Sequence, residues 1–194
     1  MTMKKTLLLF LAAAAMTLAG ANASAQVSLG AGPATRIHFR KAVDVTYSVG
    51  VQVNFEDSQR VSDNFGYSAG VDFGTYKMKD FRPGIAMTEM YLDLPIRAKF
   101  YVPCSSDIDL FFFGGIVPSA CVSSHFKTES TNTNRFKEDP DYSRYDVMAG
   151  GGLGVELAER FKLALGYDHG LLDRYKDGRI LHVASVKFTV SYLF

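Results

Sequence analysis

MYLDLPIRAKFYV, residues Met90–Val102, puts Met90, Leu92, Leu94, Ile96, Ala98 and Phe100 at every second position, with Tyr91, Asp93, Pro95, Arg97, Lys99 and Tyr101 between them. A period of two belongs to an extended strand, whose successive side chains point to opposite faces. One face here is apolar throughout, and the other carries an acid and two bases. Such a strand separates a greasy environment from a wet one.

The same alternation recurs on both sides. Downstream, Leu110, Phe112 and Ile116 oppose Asp109 and Ser119 within Ile108 to about Val122. Tyr145, Val147, Ala149, Leu153 and Val155 alternate with Asp146, Met148, Gly152, Gly154 and Glu156, and Phe161, Leu163, Leu165 and Tyr167 with Lys162, Ala164, Gly166 and Asp168. The last segment sets Val186, Phe188, Val190, Tyr192 and Phe194 against Ser185, Lys187, Thr189 and Ser191. Upstream, Phe65 to Phe73 and Val43 to Phe55 keep phase, and a weaker strand runs from Val27 to about Phe39. With the central strand this makes eight.

A half-buried soluble sheet also alternates. Three features choose a membrane barrel instead. Several segments hold phase for more than ten residues, about what a tilted strand needs to cross a bilayer. The connections alternate in length: Pro103–Asp107 and Ala158–Arg160 are short turns, whereas Lys77–Thr88, Ser123–Ser143 and Leu172–Ile180 read as longer polar loops. The Glu56–Asn64 turn is longer than this rule expects. Finally, Phe55, Phe65, Phe100, Phe161, Tyr192 and Phe194 all fall at the same ends of their strands, as an aromatic girdle at one interface.

Backbone polar groups in hydrocarbon must all be paired internally, so a spanning sheet must close. The reading is therefore all-β: an eight-stranded antiparallel up-and-down transmembrane β-barrel with both termini in the periplasm. A barrel of that size is filled by side chains. The inward set is Asp44, Gln52, Asn54, Glu56, Asp72, Asp93, Arg97, Lys99, Asp109, Asp146, Glu156, Lys162, Asp168 and Lys187. Unpaired charges in such a space cost several kcal/mol each, so a lumenal network of charge pairs is expected, an ion pathway being the functional alternative.

The amino-terminal stretch has Lys4 and Lys5, an apolar run from Leu7 to about Leu18, and small residues at Ala23 and Ala25. That is the pattern of a secretory signal, expected over residues 1–25 with cleavage before Gln26, leaving one domain over residues 26–194. Removing Lys4 and Lys5 takes the 21 basic residues to 19 against 20 acidic ones, a net charge of −1. Without a basic cluster, nucleic acid is not the expected partner. Strand order puts Cys104 at a periplasmic turn and Cys121 near the other end of the next strand. The gap is tens of ångströms, against the roughly 7 Å between Cα atoms that a disulfide allows.

At Met90–Val102 the chain resembles the PorT-like, "porin family" outer-membrane β-barrel proteins, in which a Tyr-Leu-acid-apolar-Pro strand runs into a basic-aromatic end. The matching residues are Tyr91, Leu92, Asp93, Leu94, Pro95, Lys99, Phe100 and Tyr101. Leu110–Pro118, Val147–Glu156 and Phe161–Gly170 are similar to the family's later strands, so the resemblance covers most of the chain after the leader. It implies a membrane barrel in the outer membrane of a Gram-negative cell. Val186, Phe188, Val190, Tyr192 and Phe194 also resemble the carboxy-terminal signal read by the barrel-assembly machinery, and they serve equally as the lipid-facing side of the last strand.

Chemistry is expected to be absent. His38, His125, His169 and His182 fall at no spacing known from lipid A-modifying barrels, so no catalytic residue is assigned. The run Ala149–Gly154 stays in strand phase with no helix after it, which excludes a phosphate loop. The acids of Glu138–Asp141 lack calcium-loop spacing. No cofactor or metal is expected. Three functions remain: a structural or surface-interaction barrel, with Ser123–Ser143 as its contact loop, a narrow porin-like channel, and a lipid A-modifying enzyme. The expected partners are outer-membrane lipid or lipopolysaccharide, the barrel-assembly machinery and a surface protein, with the barrel itself a monomer.

Overall fold

The computed structural model describes residues 25–40, 44–82, 85–128, 131–176 and 180–194. The expected leader, residues 1–25, lies outside them except for Ala25, the first residue of β1. The strands are β1 (Ala25–Arg40), β2 (Asp44–Arg60), β3 (Phe65–Arg82), β4 (Ile85–Asp93), β5 (Ile96–Ser105), β6 (Ile108–Lys127), β7 (Asn132–Asn134), β8 (Tyr145–Leu157), β9 (Phe161–Gly170) and β10 (His182–Leu193). One short helix, α1 (Arg135–Glu138), follows β7.

β4 and β5 are two halves of one stave. Each pairs with β3 on one side and β6 on the other, and the break falls at Leu94–Pro95. Proline has no N–H for the ladder, which confines it to such interruptions. Across the break Leu94 N–H donates to Pro118 C=O at 2.8 Å and Gly70 N–H to Pro95 C=O at 2.9 Å. Counting that stave once, eight antiparallel strands form a ring that β1 closes against β10 in the register Ser28↔Leu193 to Phe39↔His182. β7 lies outside the ring, paired only with the end of β6.

The hairpins rise further than the sequence suggests. Lys77–Thr88, expected as a loop, is mostly strand, because β3 continues to Arg82 and β4 starts at Ile85. Glu56–Asn64 is likewise no long turn: β2 runs to Arg60 and four residues remain. In both places the outer face has risen past the apolar band and turns polar, while Met78 and Met87 of the first are buried inside, so the apolar-out alternation is lost while the strand persists. Within Ser123–Ser143 the described residues extend β6 through Lys127 and form β7 and α1.

The outer wall is the exposed apolar face: Val49, Val51, Val53, Phe73, Ile96, Phe112, Leu153, Leu165, Phe188 and Val190 all point outward. The girdle residues stand together at the periplasmic rim, Phe65 opposite Phe100 and Phe161 opposite Tyr192, with the Tyr192 and Phe194 rings 5.1 Å apart. The interior is polar apart from small apolar clusters such as Val117, Met148 and Val183. Gly152 and Gly154 on β8 stand in register beside Phe113 and Phe111 on β6, and a Cβ at Gly152 would come within 2.6 Å of the Phe113 ring. Cys104 is exposed and Cys121 buried, and both are free.

Candidate functional site

The ring turns the wet faces of eight strands toward one axis, and their charges meet there in tiers. Nearest the periplasm, Arg60 donates to Asp109 at 2.5 Å and Glu156 at 3.0 Å, with its guanidinium 3.9 Å above the Tyr101 ring. Beside it opens a vestibule of about 180 Å³ lined by Gln26, Arg60, Asp107, Asp109, Glu156 and Glu159.

One tier inward, Glu56 accepts from Lys99 at 2.6 Å and Lys162 at 2.5 Å. Ser58 and Ser28 take further hydrogen bonds from those ammonium groups. Arg97 reaches Asp168 at 2.6 Å and the Gly150 carbonyl at 3.2 Å. At the centre Asp93 accepts from Arg36 at 2.6 Å, Lys187 at 2.8 Å and Ser119 at 2.5 Å, while Lys187 also holds Asp72 at 2.8 Å. A cavity of about 70 Å³ remains among Gln52, Asn54, Arg97, Lys162 and Thr189.

At the extracellular mouth one wet-face carboxylate meets two arginines from aperiodic segments. Glu89, one inward position before Tyr91, accepts from the Tyr91 hydroxyl and the Ser124 hydroxyl at 3.0 Å each. Arg135, the first residue of α1, reaches down to it at 3.2 Å and donates to the Tyr175 hydroxyl at 3.1 Å. Its guanidinium lies 3.5 Å over the Tyr142 ring. Arg174 approaches the same ring from 4.9 Å and donates to the Tyr142 hydroxyl at 3.3 Å.

Electrostatics favour this closure. Burial works against the charge on Arg135, but Tyr142, Glu89 and Tyr175 outweigh it and hold the guanidinium above its ordinary range. Arg174 behaves alike, burial being outweighed by Tyr142, Tyr91, Cys121 and Glu89. Burial pushes the Tyr142 hydroxyl up to about 12. The crown is thus two fixed cations clasping neutral tyrosines over one buried carboxylate.

Eleven of the twelve charged residues assigned to the lumen from sequence, Glu56, Asp72, Asp93, Arg97, Lys99, Asp109, Asp146, Glu156, Lys162, Asp168 and Lys187, point into the barrel, and all but Asp146 enter an ion pair. Asp146 is buried and accepts the Leu172 N–H at 3.2 Å. Asp44 stands in register opposite Arg40, at the extracellular end of the first hairpin. Arg36 and Glu89 were readable by extending the phase of their strands, the first being masked by the small residues of β1. Arg135 and Arg174 sit in aperiodic segments that give no such cue. Of the histidines, His38 is buried at the mouth, 3.4 Å from the Ser48 hydroxyl and 3.8 Å from Glu89. Among the described residues no group of His, Cys, Asp and Glu is arranged to hold a metal.

A family model described as outer membrane protein beta-barrel domain matches residues 16–175. Among solved structures, Neisserial surface protein A is 13% identical, with 88% of this chain and 97% of that one covered at a TM-score of 0.53. Ail, the attachment invasion locus protein of Yersinia pestis, is 12% identical, with 88% and 99% covered at 0.52. At these identities the likeness is one of fold. No curated protein matches the chain in sequence.

Proposed function

This chain belongs to the outer membrane protein beta-barrel domain family, a barrel of the bacterial outer membrane, and from that premise we propose that it works at the cell surface through its extracellular crown, not through its lumen. The observation that carries the reading is the crown's fastening. A three-residue strand and one helical turn would not hold a fixed shape alone. Here Arg135 anchors them to Glu89 inside the mouth. Anchoring orders a surface while closing the hole beneath it.

The outer side of this crown carries exposed Lys137, Glu138, Asp141 and Arg144, a mixed-charge surface suited to a protein partner. The lumenal tiers oppose the porin-like reading, because a passing ion would have to part paired charges at each level. Lipid A chemistry is disfavoured at the residue best placed for it: His38 meets Ser48 and Glu89 through the same nitrogen, Nε2. A general base needs the hydroxyl on one ring nitrogen and the carboxylate on the other. The barrel is accordingly a non-enzymatic monomer. It carries the PorT-like mark in its Pro95 stave, and Phe194 presents its end to the barrel-assembly machinery.

Crosslinked pull-downs from outer membranes test this, comparing the wild type with a variant in which Lys137, Glu138, Asp141 and Arg144 are all serine. Both proteins should show heat-modifiable folding, and only the wild type should retain its crosslinked partner. Steady single-channel steps from the wild type in planar bilayers would overturn the reading.

A further inference from the structure

Above the apolar band, the outer wall of β3, β4 and β6 gathers positive charge. Lys77 and Lys79 continue the outward parity of Phe73 and Thr75 on β3, and both are exposed. In register Lys77 stands opposite Thr88, Thr88 opposite His125, and Ala86 opposite the exposed Lys127. Among the described residues the outward positions between them are Thr88, Ala86, Ser123 and His125, none of them an acid. Among the described residues these three lysines form no ion pair. Elsewhere on the extracellular side the signs are mixed, as with Lys137 beside Glu138 and Arg144 near Asp141.

The depth of the patch identifies what it faces. Twelve residues separate Phe65 of the periplasmic girdle from Lys77. At roughly 3.3 Å per residue and a tilt of about 40°, that is about 30 Å along the membrane normal, against an apolar band of about 25 Å. Lys77 therefore stands at headgroup level on the outer leaflet. Directly below, Phe73, Met90 and Leu92 turn toward acyl chains.

We propose that this wall binds the phosphorylated headgroup of an outer-leaflet glycolipid. Lys77, Lys79 and Lys127 neutralise its phosphates, Thr88 offers a hydroxyl between them, and the apolar face beneath receives the acyl chains. The patch faces sideways, continuous with the lipid-facing wall, which favours a lipid over a soluble polyanion approaching from above. The proposal rests on residence in the outer membrane and deepens the lipid contact of the reading above. It is independent of what the crown binds.

The test uses the folded barrel in phosphatidylcholine nanodiscs doped with bis-phosphorylated or dephosphorylated lipid A, with bound lipid measured by native mass spectrometry. The wild type should hold the bis-phosphorylated form preferentially. Lys77→Gln, Lys79→Gln and Lys127→Gln together should weaken retention roughly a hundredfold, at about fivefold per lysine. The single variants carry the test if the triple variant does not fold. Lys137→Gln with Lys176→Gln, on the crown, should leave retention unchanged. Equal retention by wild type and single variants, equal binding of dephosphorylated lipid A, or displacement of the lipid by millimolar inorganic phosphate would each overturn the proposal. None of these readouts depends on a crosslinked protein partner, so this proposal and the crown reading fail separately.

Discussion

Arg135→Ala removes the fastening of the crown and leaves the ring untouched. The substitution deletes the hydrogen bonds to Glu89 at 3.2 Å and to the Tyr175 hydroxyl at 3.1 Å, together with the stacking on Tyr142 at 3.5 Å. It also leaves Glu89 buried with only Tyr91 and Ser124 as close donors. A desolvated cation–π contact contributes about 2 kcal/mol, and breaking a buried ion pair from one side costs about 3–5 kcal/mol. The contributions overlap, so a loss of about 4 kcal/mol is the working figure, nearly a thousandfold in the open-to-closed ratio. Only three register pairs join β7 to β6, and the other holds on the segment, Phe136 against Tyr142 and Arg174 on the Tyr142 hydroxyl, lie within the crown that Arg135 fastens.

Hydrogen exchange in nanodiscs reads this directly. The amides of Phe136, Asp139 and Tyr142, bonded within the crown to Asn134 Oδ1, the Arg135 carbonyl and the Asp139 carbonyl, should lose protection by two to three orders of magnitude. The ladder amides of β8, β9 and β10 should exchange as in the wild type. Glu89→Gln keeps an acceptor without the charge and should give a smaller loss, and the double variant should lose less than the two single losses combined. Crown protection within threefold of wild type in Arg135→Ala would refute the anchoring argument, and so would a matching loss of protection throughout the ring.

Three further predictions concern other parts of the molecule. Asp93→Ala strips the shared acceptor of Arg36, Lys187 and Ser119 and should lower stability in urea titrations by about 3–5 kcal/mol; Asp72→Ala should cost less, since Lys187 keeps Asp93. The β8–β9 turn holds Ala158 at φ 50° and Glu159 at φ 54°, so Ala158→Asn with Glu159→Gly should raise stability by about 0.5–1 kcal/mol and sharpen the unfolding transition. Burial lifts the Tyr142 hydroxyl to about 12, above the value near 10 of an unfolded chain. The stability this represents is complete below pH ~10 and is lost as pH rises toward 12; Tyr142→Phe should remove one late-titrating tyrosine from the absorbance near 295 nm.

The legible part of this fold is the part that touches lipid. Between the girdle and the headgroups, one face of each strand meets hydrocarbon and the other a polar lumen, so the pattern from Met90 to Val102 or from Ser185 to Phe194 states both conformation and orientation. Above that depth Lys77–Thr88 turns lysines outward and Met78 and Met87 inward, the reverse of the pattern below, so it reads as a loop although its backbone continues as a hairpin. Within the lumen, parity tells which charges point inward, yet not that Arg97 meets Asp168 while Lys99 meets Glu56. Those pairings depend on the stagger of distant strands. Arg135 and Arg174 were invisible for a different reason: they hang from segments with no period, and only the folded mouth brings them over Glu89.

The charged lumen also explains how a barrel whose apolar interior is broken into small clusters can have one register. A slip of one residue in β10 would turn Lys187 from Asp72 and Asp93 to face lipid, and carry Phe188 and Val190 into the lumen. A lysine on the lipid face near mid-membrane costs about 2–4 kcal/mol, and the abandoned carboxylates would add the cost of broken pairs. Slips of β1 or the β4–β5 stave would strand Arg36 or Asp93 in the same way. The interior charges therefore act first as a register lock, which works only while they stay paired across the axis. A lumen built for conduction would have to loosen those pairs and would lose the lock with them. That is a further ground for the function we propose, at surfaces that can vary without disturbing the ring, the crown above the mouth and the outer wall beside it.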